Sequence, residues 1–477
     1  MFIERDVARE LEKGRKRFRE PGHVPYPVEY SNDIGDFNVL EMLMGQSIQK
    51  SISIHKFVKP PNRVLDLGCG TGTWIIAAAK EWPNTAFVGF DIADIQPDLT
   101  QKKMEIGDLH KRITWVHGNF LERLPFLDEE FEFVRIHDIG LGVPEDEWQD
   151  VIEEVARVLK PGGVLEVMEY DIIFPCADPP IPETPSPPSP SGTITQASQI
   201  PEKLKNSNGS DSVRSTASST PSLKRSGSAQ LLSREPENRR DHSALKDAFH
   251  RMLTRRFINP NVLSVLPFYL QTSFKDVQSH PHFVAHLPPP SDGPGGTSNE
   301  TASFRLTSDS GIDMDFTHPE QMLDIAPRNA LVASAFNVFN TPKKANIAGR
   351  LSLARAMRLV IGCKEEMWVE YERLHREKRE KPNPRLDREE FEMHFQNWEN
   401  DMQDRINLRG AMMAGLNWKE PTGLDHPPWR TWKEKEKEGR EPPQSSSSFG
   451  KKEASRSHRI FICTKEDRTD HQSAWFP

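Results

Sequence analysis

Cysteine is scarce in this chain. Four cysteines occur in 477 residues, Cys69, Cys176, Cys363 and Cys463, far apart and with no C-x-x-C pair. That spacing suggests neither a structural zinc site nor a disulfide framework, and it fits a reducing compartment. No metal site is expected. An excess of positive charge is missing too. With 62 Lys and Arg against 70 Asp and Glu, for a net charge of -8, the chain lacks the electrostatic footprint of a direct nucleic-acid binder. No stretch reaches the ~18 apolar residues of a membrane span. The opening MFIERDVARELEKGRKRFRE has no apolar signal-peptide core. These absences predict a soluble protein of the cytoplasm, the nucleus or both, with no membrane partner.

Aromatic residues are absent from 177–240, where Pro and Ser dominate, as in PETPSPPSPSG and RSTASSTPSLKRSGS. Such a segment cannot bury enough apolar surface to offset the entropy of ordering it. Residues 288–310 and 433–458 are shorter cases of the same kind. Hydrophobic residues make up only 36% of the chain and prolines number 39. That composition points to one sizeable core interrupted by unpacked insertions rather than to several domains.

What is present is concentrated in VLDLGCGTGTW, residues 64–74. A short apolar run reads as a buried parallel strand, and Gly68, Gly70 and Gly72 form a turn that keeps side chains out of a ligand's way. An alanine-rich helix start follows. The unit is strand, glycine turn, helix, with the turn at the carboxyl edge of the sheet where open α/β folds bind their ligands. The spacing is neither the G-x-G-x-x-G of dinucleotide folds nor a P-loop, which needs Lys and then Ser or Thr after its last glycine. Asp66, two residues before the first glycine, would repel a phosphate and welcome an ammonium. S-adenosylmethionine (SAM) carries that ammonium and no phosphate. A second strand, 86–90, ends at Asp91, whose carboxylate can accept both hydroxyls of a ribose.

From these residues onward the chain resembles a class I SAM-dependent methyltransferase. Residues 113–116 are similar to the third strand of that fold, and FEFVRIHDI at 131–139 to the fourth. VIEEVARVLKPGGVLEVMEY at 151–170 resembles the helix, turn and fifth strand, with Pro161 expected to stop the helix. More narrowly, the chain is similar to the fungal LaeA-like methyltransferases. That likeness rests on the leader YPVEYSNDIGDFNVLEMLMG (26–45), on DIADIQP (91–97), and on LSLARAMRLVIGCKEEMWVEYERL (351–374). It implies a Rossmann-like three-layer α/β sandwich around a mostly parallel seven-stranded sheet, with disordered insertions and a helical lid. Residues 1–60 would be a leader of cap helices, and 61–176 the SAM-binding core. After the insert at 177–240 the core would resume at 241–287. Residues 311–432 would then form the lid, and 459–477 the last strand and tail.

The same resemblance implies cofactor contacts from Asp66, Gly68, Cys69, Gly70, Gly72, Asp91, Ile92, Asn119 and Phe120. Asn119 stands where the family usually has an Asp that receives the adenine amine, and its amide oxygen can accept the same bond. Cys69 is expected to be a small side chain in a tight turn, without chemistry of its own. Trp74 either touches the cofactor or packs on the leader, and Tyr26 and Tyr30 could line the pocket. Methyl transfer from a sulfonium needs alignment, exclusion of water and, for some acceptors, removal of a proton. Bases should project from the ends of strands four and five. His137 is the first choice, because an imidazole pKa near ~6.5 suits proton abstraction at neutral pH. A hydrogen-bonded wall histidine is the plainer alternative. Phe391, Phe395, Trp398, Met402 and Ile406 fall on one helix face, as core packing or as substrate wall.

Two functions fit. One is an enzyme that methylates a small molecule or a protein. The other is a LaeA-like regulatory protein that keeps the SAM fold, acts with nuclear protein partners, and methylates weakly or incidentally. The basic runs at 15–19 and 223–225 are either import signals or solvated surface.

Overall fold

Five apolar runs form the parallel half of one sheet: β1 (Arg63–Leu67), β2 (Ala86–Asp91), β3 (Ile113–His117), β4 (Phe131–His137) and β5 (Leu159–Tyr170). The computed structural model describes residues 23–29, 51–100, 107–177, 238–290, 304–307, 313–315, 342–378, 384–407, 428–437 and 453–467. Tyr30, both basic runs and nearly all of the Ser/Pro insert lie outside the described residues. So does most of the leader.

Helix α1 (Thr73–Glu81) joins β1 to β2, and α2 (Trp148–Val158) precedes β5. On α2 the buried residues Trp148, Val151, Ile152, Val155 and Val158 recur at helical spacing, so one apolar face meets the sheet. The helix ends at Val158, not at Pro161. Leu159 is already extended and pairs with Phe131 at the start of β5, while proline keeps the residue before it out of helical geometry.

The strand order is β3-β2-β1-β4-β5, then β10 (Ala454–Thr464), β7 (His282–His286), β8 (Phe304–Thr307) and β9 (Asp313–Asp315), with β6 (Asp276–Ser279) also paired to β10. From β1 the chain builds outward to β3 and then returns to the opposite side of β1 for β4. That reversal opens a crevice at the carboxyl ends of β1 and β4, the usual place for a ligand in an open α/β sheet.

Past β5 the sheet differs from expectation in several details. Helices α3 (Ser243–Arg255) and α4 (Val262–Ser273) lead to β6 (Asp276–Ser279) and β7 (His282–His286). Two further strands, β8 (Phe304–Thr307) and β9 (Asp313–Asp315), extend the edge to ten strands. β8 falls in a segment expected not to pack. It is paired antiparallel to β7 and to β9, and alternating apolar residues in FRLT are enough for a short strand. The last strand, β10 (Ala454–Thr464), begins inside the expected linker 433–458 and runs antiparallel to β5, β6 and β7. Helix α8 (Pro428–Lys437) occupies the other end of that linker.

Alternation along the strands sorts the core into two layers. Leu65, Leu67, Val134, Ile136, Leu165 and Val167 face one cluster, with α2, α3 and the later helices. Val64, Phe133, Val164, Ile460 and Ile462 face the other, with Trp74, Ile75 and Trp82. Asp66, Arg135 and Glu166 share the second face, one pleat further toward the crevice.

Within 311–432, the segment expected to form a lid, the described residues include the helices α5 (Pro342–Gly362), α6 (Lys364–Lys378) and α7 (Pro384–Ile406). Phe391, Phe395, Trp398, Met402 and Ile406 are all buried in the larger core cluster, and none borders the cavity described below. The stripe is therefore core. Trp398 stacks on Phe174 with ring centroids 5.2 Å apart, and its Nε1 donates to the Pro175 carbonyl at 2.8 Å. Behind the stripe, the buried carboxylates Asp401 and Asp404 receive Arg240, with His242 3.1 Å from Asp401 and Lys433 3.0 Å from Asp404. This network pins Arg240 and His242 to α7.

Candidate functional site

The glycine turn hangs from the end of β2. Gly68 and Cys69 both donate their N–H groups to the Phe90 carbonyl, at 2.8 and 3.1 Å. Gly70 N–H donates to Asp91 Oδ2 at 2.8 Å, and Ala93 N–H to Asp91 Oδ1 at 2.9 Å. The Asp91 carboxylate thus organises the turn as well as bordering the cavity described below. Each of its oxygens keeps a lone pair for a hydroxyl. Gln96 completes the tie, with its Nε2 donating to the Gly70 carbonyl at 2.6 Å and to Ala93 at 2.9 Å.

The three glycines have different tasks. All have positive φ, the left-handed region where other residues are strained. A Cβ on Gly70 would meet nothing within 4 Å, because it points into open space, whereas one on Gly72 would sit 2.4 Å from the Trp115 ring and one on Gly68 2.5 Å from Ile139. Gly68 and Gly70 border the cavity; Gly72 does not.

That cavity measures about 210 Å³, more than ten times the roughly 10–15 Å³ that one water occupies. At one end lie Asp66, Gly68, Cys69, Gly70, Asp91, Ile92, Asn119 and Phe120. Burial pushes the Cys69 thiol up, with the charges of Asp66 and Asp91 adding to it, so no thiolate forms there. Trp74 also borders the cavity, and its Nε1 donates to the Ile52 carbonyl in the segment before β1 at 2.9 Å. It is thus tied to the leader while bordering the cavity.

Beneath this end runs a row of charges. Asp66, Arg135 and Glu166 are register neighbours on β1, β4 and β5. Arg135 donates to Asp66 Oδ1 at 2.9 Å. Glu166 Oε2 accepts from the Ser53 hydroxyl at 2.7 Å and from the N–H groups of Ile54 and His55 at 2.9 and 3.1 Å. Burial raises both carboxyls above the usual range, against the pull of Arg135 on Asp66 and of these hydrogen bonds and Arg135 on Glu166. Two carboxylates and one guanidinium leave the row acidic when ionised.

At the other end His137 closes β4 with its Nε2 3.2 Å from the Tyr170 hydroxyl. Asp138 follows at φ 58°, a strained conformation for a residue other than glycine. It is held by its N–H bond to the Met168 carbonyl at 3.0 Å and by Arg355 of α5, which donates to Asp138 Oδ2 at 3.0 Å. Glu169, fully buried, accepts from the N–H groups of Ile139 and Gly140 at 2.8 and 3.3 Å, fixing the turn that carries Leu141 and Gly142. Burial and the neighbouring Asp138 push its carboxyl up to about 8. Tyr26, Arg355 and Leu359 line the cavity too, and Glu29 N–H donates to the Gly362 carbonyl at 2.9 Å, joining the segment that carries Tyr26 to the end of α5.

Asn119 offers more than was expected of it. Its Oδ1 accepts from Leu121 N–H at 3.0 Å and keeps a second lone pair, and its Nδ2 is buried without a partner. The side chain offers a donor besides the expected acceptor. Asp66 Oδ2 is likewise buried without a partner. An orphaned carboxylate oxygen, an orphaned amide donor and a glycine open to the cavity suit a cofactor that has an ammonium at one end and a nitrogen heterocycle at the other. Glu166, Arg135 and Gln96 were not among the predicted cofactor residues. Only Gln96 had a visible signal, inside DIADIQP. Among the described residues no group of three or more His, Cys, Asp or Glu could hold a metal, and no helix is long and apolar enough to cross a membrane.

Residues 64–163 match the sequence family described as Methyltransferase domain. The chain is 37% identical over 117 residues to a demethylmenaquinone methyltransferase of Lysinibacillus sphaericus, covering 24% of this chain and 47% of that protein. With the Listeria welshimeri enzyme of the same name it shares 38% over 114 residues, covering 24% and 46%. It spans about half the length of these relatives. Among solved structures, an O-methyltransferase family protein from Burkholderia thailandensis has 23% identity and a TM-score of 0.25, covering 28% of this chain and 40% of that one. Human N-acetylserotonin methyltransferase in complex with SAM has 18% identity and a TM-score of 0.23, covering 29% and 37%. The segment 64–163 is a methyltransferase domain of the SAM-dependent, Rossmann-like kind.

Proposed function

We propose that this protein is a SAM-dependent methyltransferase acting on a small-molecule acceptor. One observation carries the reading: a single cavity runs from the glycine turn, Asp66 and Asp91 to His137, so a cofactor end and a reaction end are continuous. The leader and α5 cover that reaction end. Such a roof suits a small acceptor better than a protein side chain, and the curated relatives that share the core are named for one.

Asp66 would receive the cofactor's ammonium, Asp91 its ribose hydroxyls, and Asn119 Nδ2 a ring nitrogen, with Phe120 as an apolar wall. When bound, the cofactor supplies an electrophilic methyl group. The chain aligns the acceptor between Tyr26, Leu141 and Leu359, excludes water with the lid, and removes a proton at His137 where the acceptor carries one. The Tyr170 hydroxyl orients the imidazole.

The narrower placement among fungal LaeA-like methyltransferases is part of this proposal. Gln96 in DIADIQP braces the glycine turn, and residues 351–374 provide Arg355 and Leu359 over the cavity. Isothermal titration with SAM, followed by a labelled-methyl assay on cell extract, tests the function. SAM binding with a labelled small molecule is the expected result. Binding with no labelled acceptor would turn the reading toward a regulatory protein that acts with nuclear partners. No binding of SAM would overturn both.

A further inference from the structure

The buried row under the cofactor end contains more charge than a ligand pocket requires, and its cation is the least expected member. Arg135 lies between Asp66 and Glu166 in sheet register. Its guanidinium engages Asp66 Oδ1 at 2.9 Å and stands 4.6 Å from the Trp74 ring centroid. Trp74 is itself fixed through Nε1 to the Ile52 carbonyl, so the guanidinium is held between a carboxylate and an aromatic face. The bond takes one Asp66 oxygen and leaves the other, Oδ2, buried and without a partner, in a residue that borders the cavity.

Resting on the reading that SAM is the cofactor, we infer that Arg135 is a positioning residue for the cofactor's amino-acid end: it orients Asp66 and keeps it ionised so that Oδ2 meets the ammonium. Burial raises the carboxyls of Asp66 and Glu166, and Arg135 opposes the rise in both. Without the guanidinium, two neighbouring carboxyls in a low-dielectric site cannot both ionise. One holds a proton, and the receptor for an ammonium is lost. At the adenosine end, Asp91 acts on this row through charge, raising the Asp66 carboxyl, while its own hydrogen bonds run to Gly70 and Ala93, so a ligand held there alone should be affected far less.

Two ligands separate these ends: SAM, and 5′-methylthioadenosine, which has the nucleoside and thioether but no amino-acid portion. Titrations of both into wild type, Arg135→Met, Arg135→Lys, Asp66→Asn and the Arg135→Met/Asp66→Asn double variant decide the matter. Arg135→Met should weaken SAM by roughly 10- to 100-fold while changing methylthioadenosine by less than about 3-fold. Arg135→Lys should recover part of the loss, and the double variant should bind SAM no more weakly than Asp66→Asn. Equal weakening of both ligands, no weakening of SAM, or additive losses in the double variant would overturn the inference and leave the cofactor assignment standing. If wild type binds neither ligand, the cofactor reading itself fails. Should Arg135→Met not fold, Arg135→Lys decides alone, since a loss confined to SAM supports the role and a loss shared by both ligands refutes it.

Discussion

The Nε2 atom of His137 and the phenolic oxygen of Tyr170 lie 3.2 Å apart, and of the two side chains only the imidazole borders the cavity. The phenol stands behind it, with the Arg456 guanidinium 4.1 Å from its ring centroid. A base held by a second group is the arrangement expected for proton abstraction.

If His137 is that base, His137→Gln should lower methyl transfer by about 100-fold or more while SAM affinity stays within about 2-fold. Tyr170→Phe should cost less, since the ring remains and only its orienting bond is lost. Labelled-methyl transfer and SAM titration on the same preparations separate the effects. A His137 variant with full turnover would reduce the residue to a wall.

Asp91 should be unusually intolerant of amide substitution. Its two oxygens accept N–H bonds from Gly70 and Ala93, so one end of an asparagine must set a donor against a donor. Asp91→Asn should therefore weaken SAM nearly as much as Asp91→Ala, by roughly 10- to 100-fold for each. Titration with SAM, alongside melting curves to confirm folding, distinguishes this from a ribose contact alone, for which asparagine would be a partial replacement.

The glycines predict opposite outcomes for one substitution. Gly72→Ala meets the Trp115 ring and should lower the melting temperature more than the strain of left-handed φ, about 1–2 kcal/mol, would explain. Gly70→Ala has that strain only and should fold, but its methyl group enters the cavity and should weaken SAM. Melting temperature and SAM affinity, measured for both variants, should rank them in reverse order.

Glu169 predicts a pH dependence of stability. Its folded pKa, about 8, exceeds the unfolded value of ~4.3, so the folded state holds the proton more tightly. The stabilisation is therefore complete below pH ~4.3 and is lost as pH rises toward about 8. Glu169→Gln removes this titration, and its unfolding free energy should fall less than that of wild type between pH 5 and pH 8. Urea denaturation at three pH values in that range checks the sign.

Much of this architecture was legible because short apolar runs and a glycine turn are local signals. The strands from 64 to 170 lie close to where their apolar runs placed them, and Asp66, Asp91 and His137 all border one cavity. What sequence reasoning missed is non-local. Arg135 looks like one polar residue in an apolar strand, and Glu166 like another. Only the register of β1, β4 and β5 makes them neighbours of Asp66. The free atom of Asn119 depended on a bond to Leu121 that no motif announces. Likewise, the stripe from Phe391 to Ile406 showed an apolar face but not its partner, which is Phe174 just past β5.

The position of β10 has a consequence for synthesis. It is inserted between β5 and β7, yet it is translated almost three hundred residues after β5. At roughly 5–20 residues per second, β5 leaves the ribosome something like 15–60 s before the strand that covers its edge. During that interval the nascent chain presents an unpaired, apolar strand next to a half-built cofactor crevice, the kind of edge on which aggregation starts. The protein is thus exposed to chaperones and to misassembly longest at the edge where its own closing strand must dock.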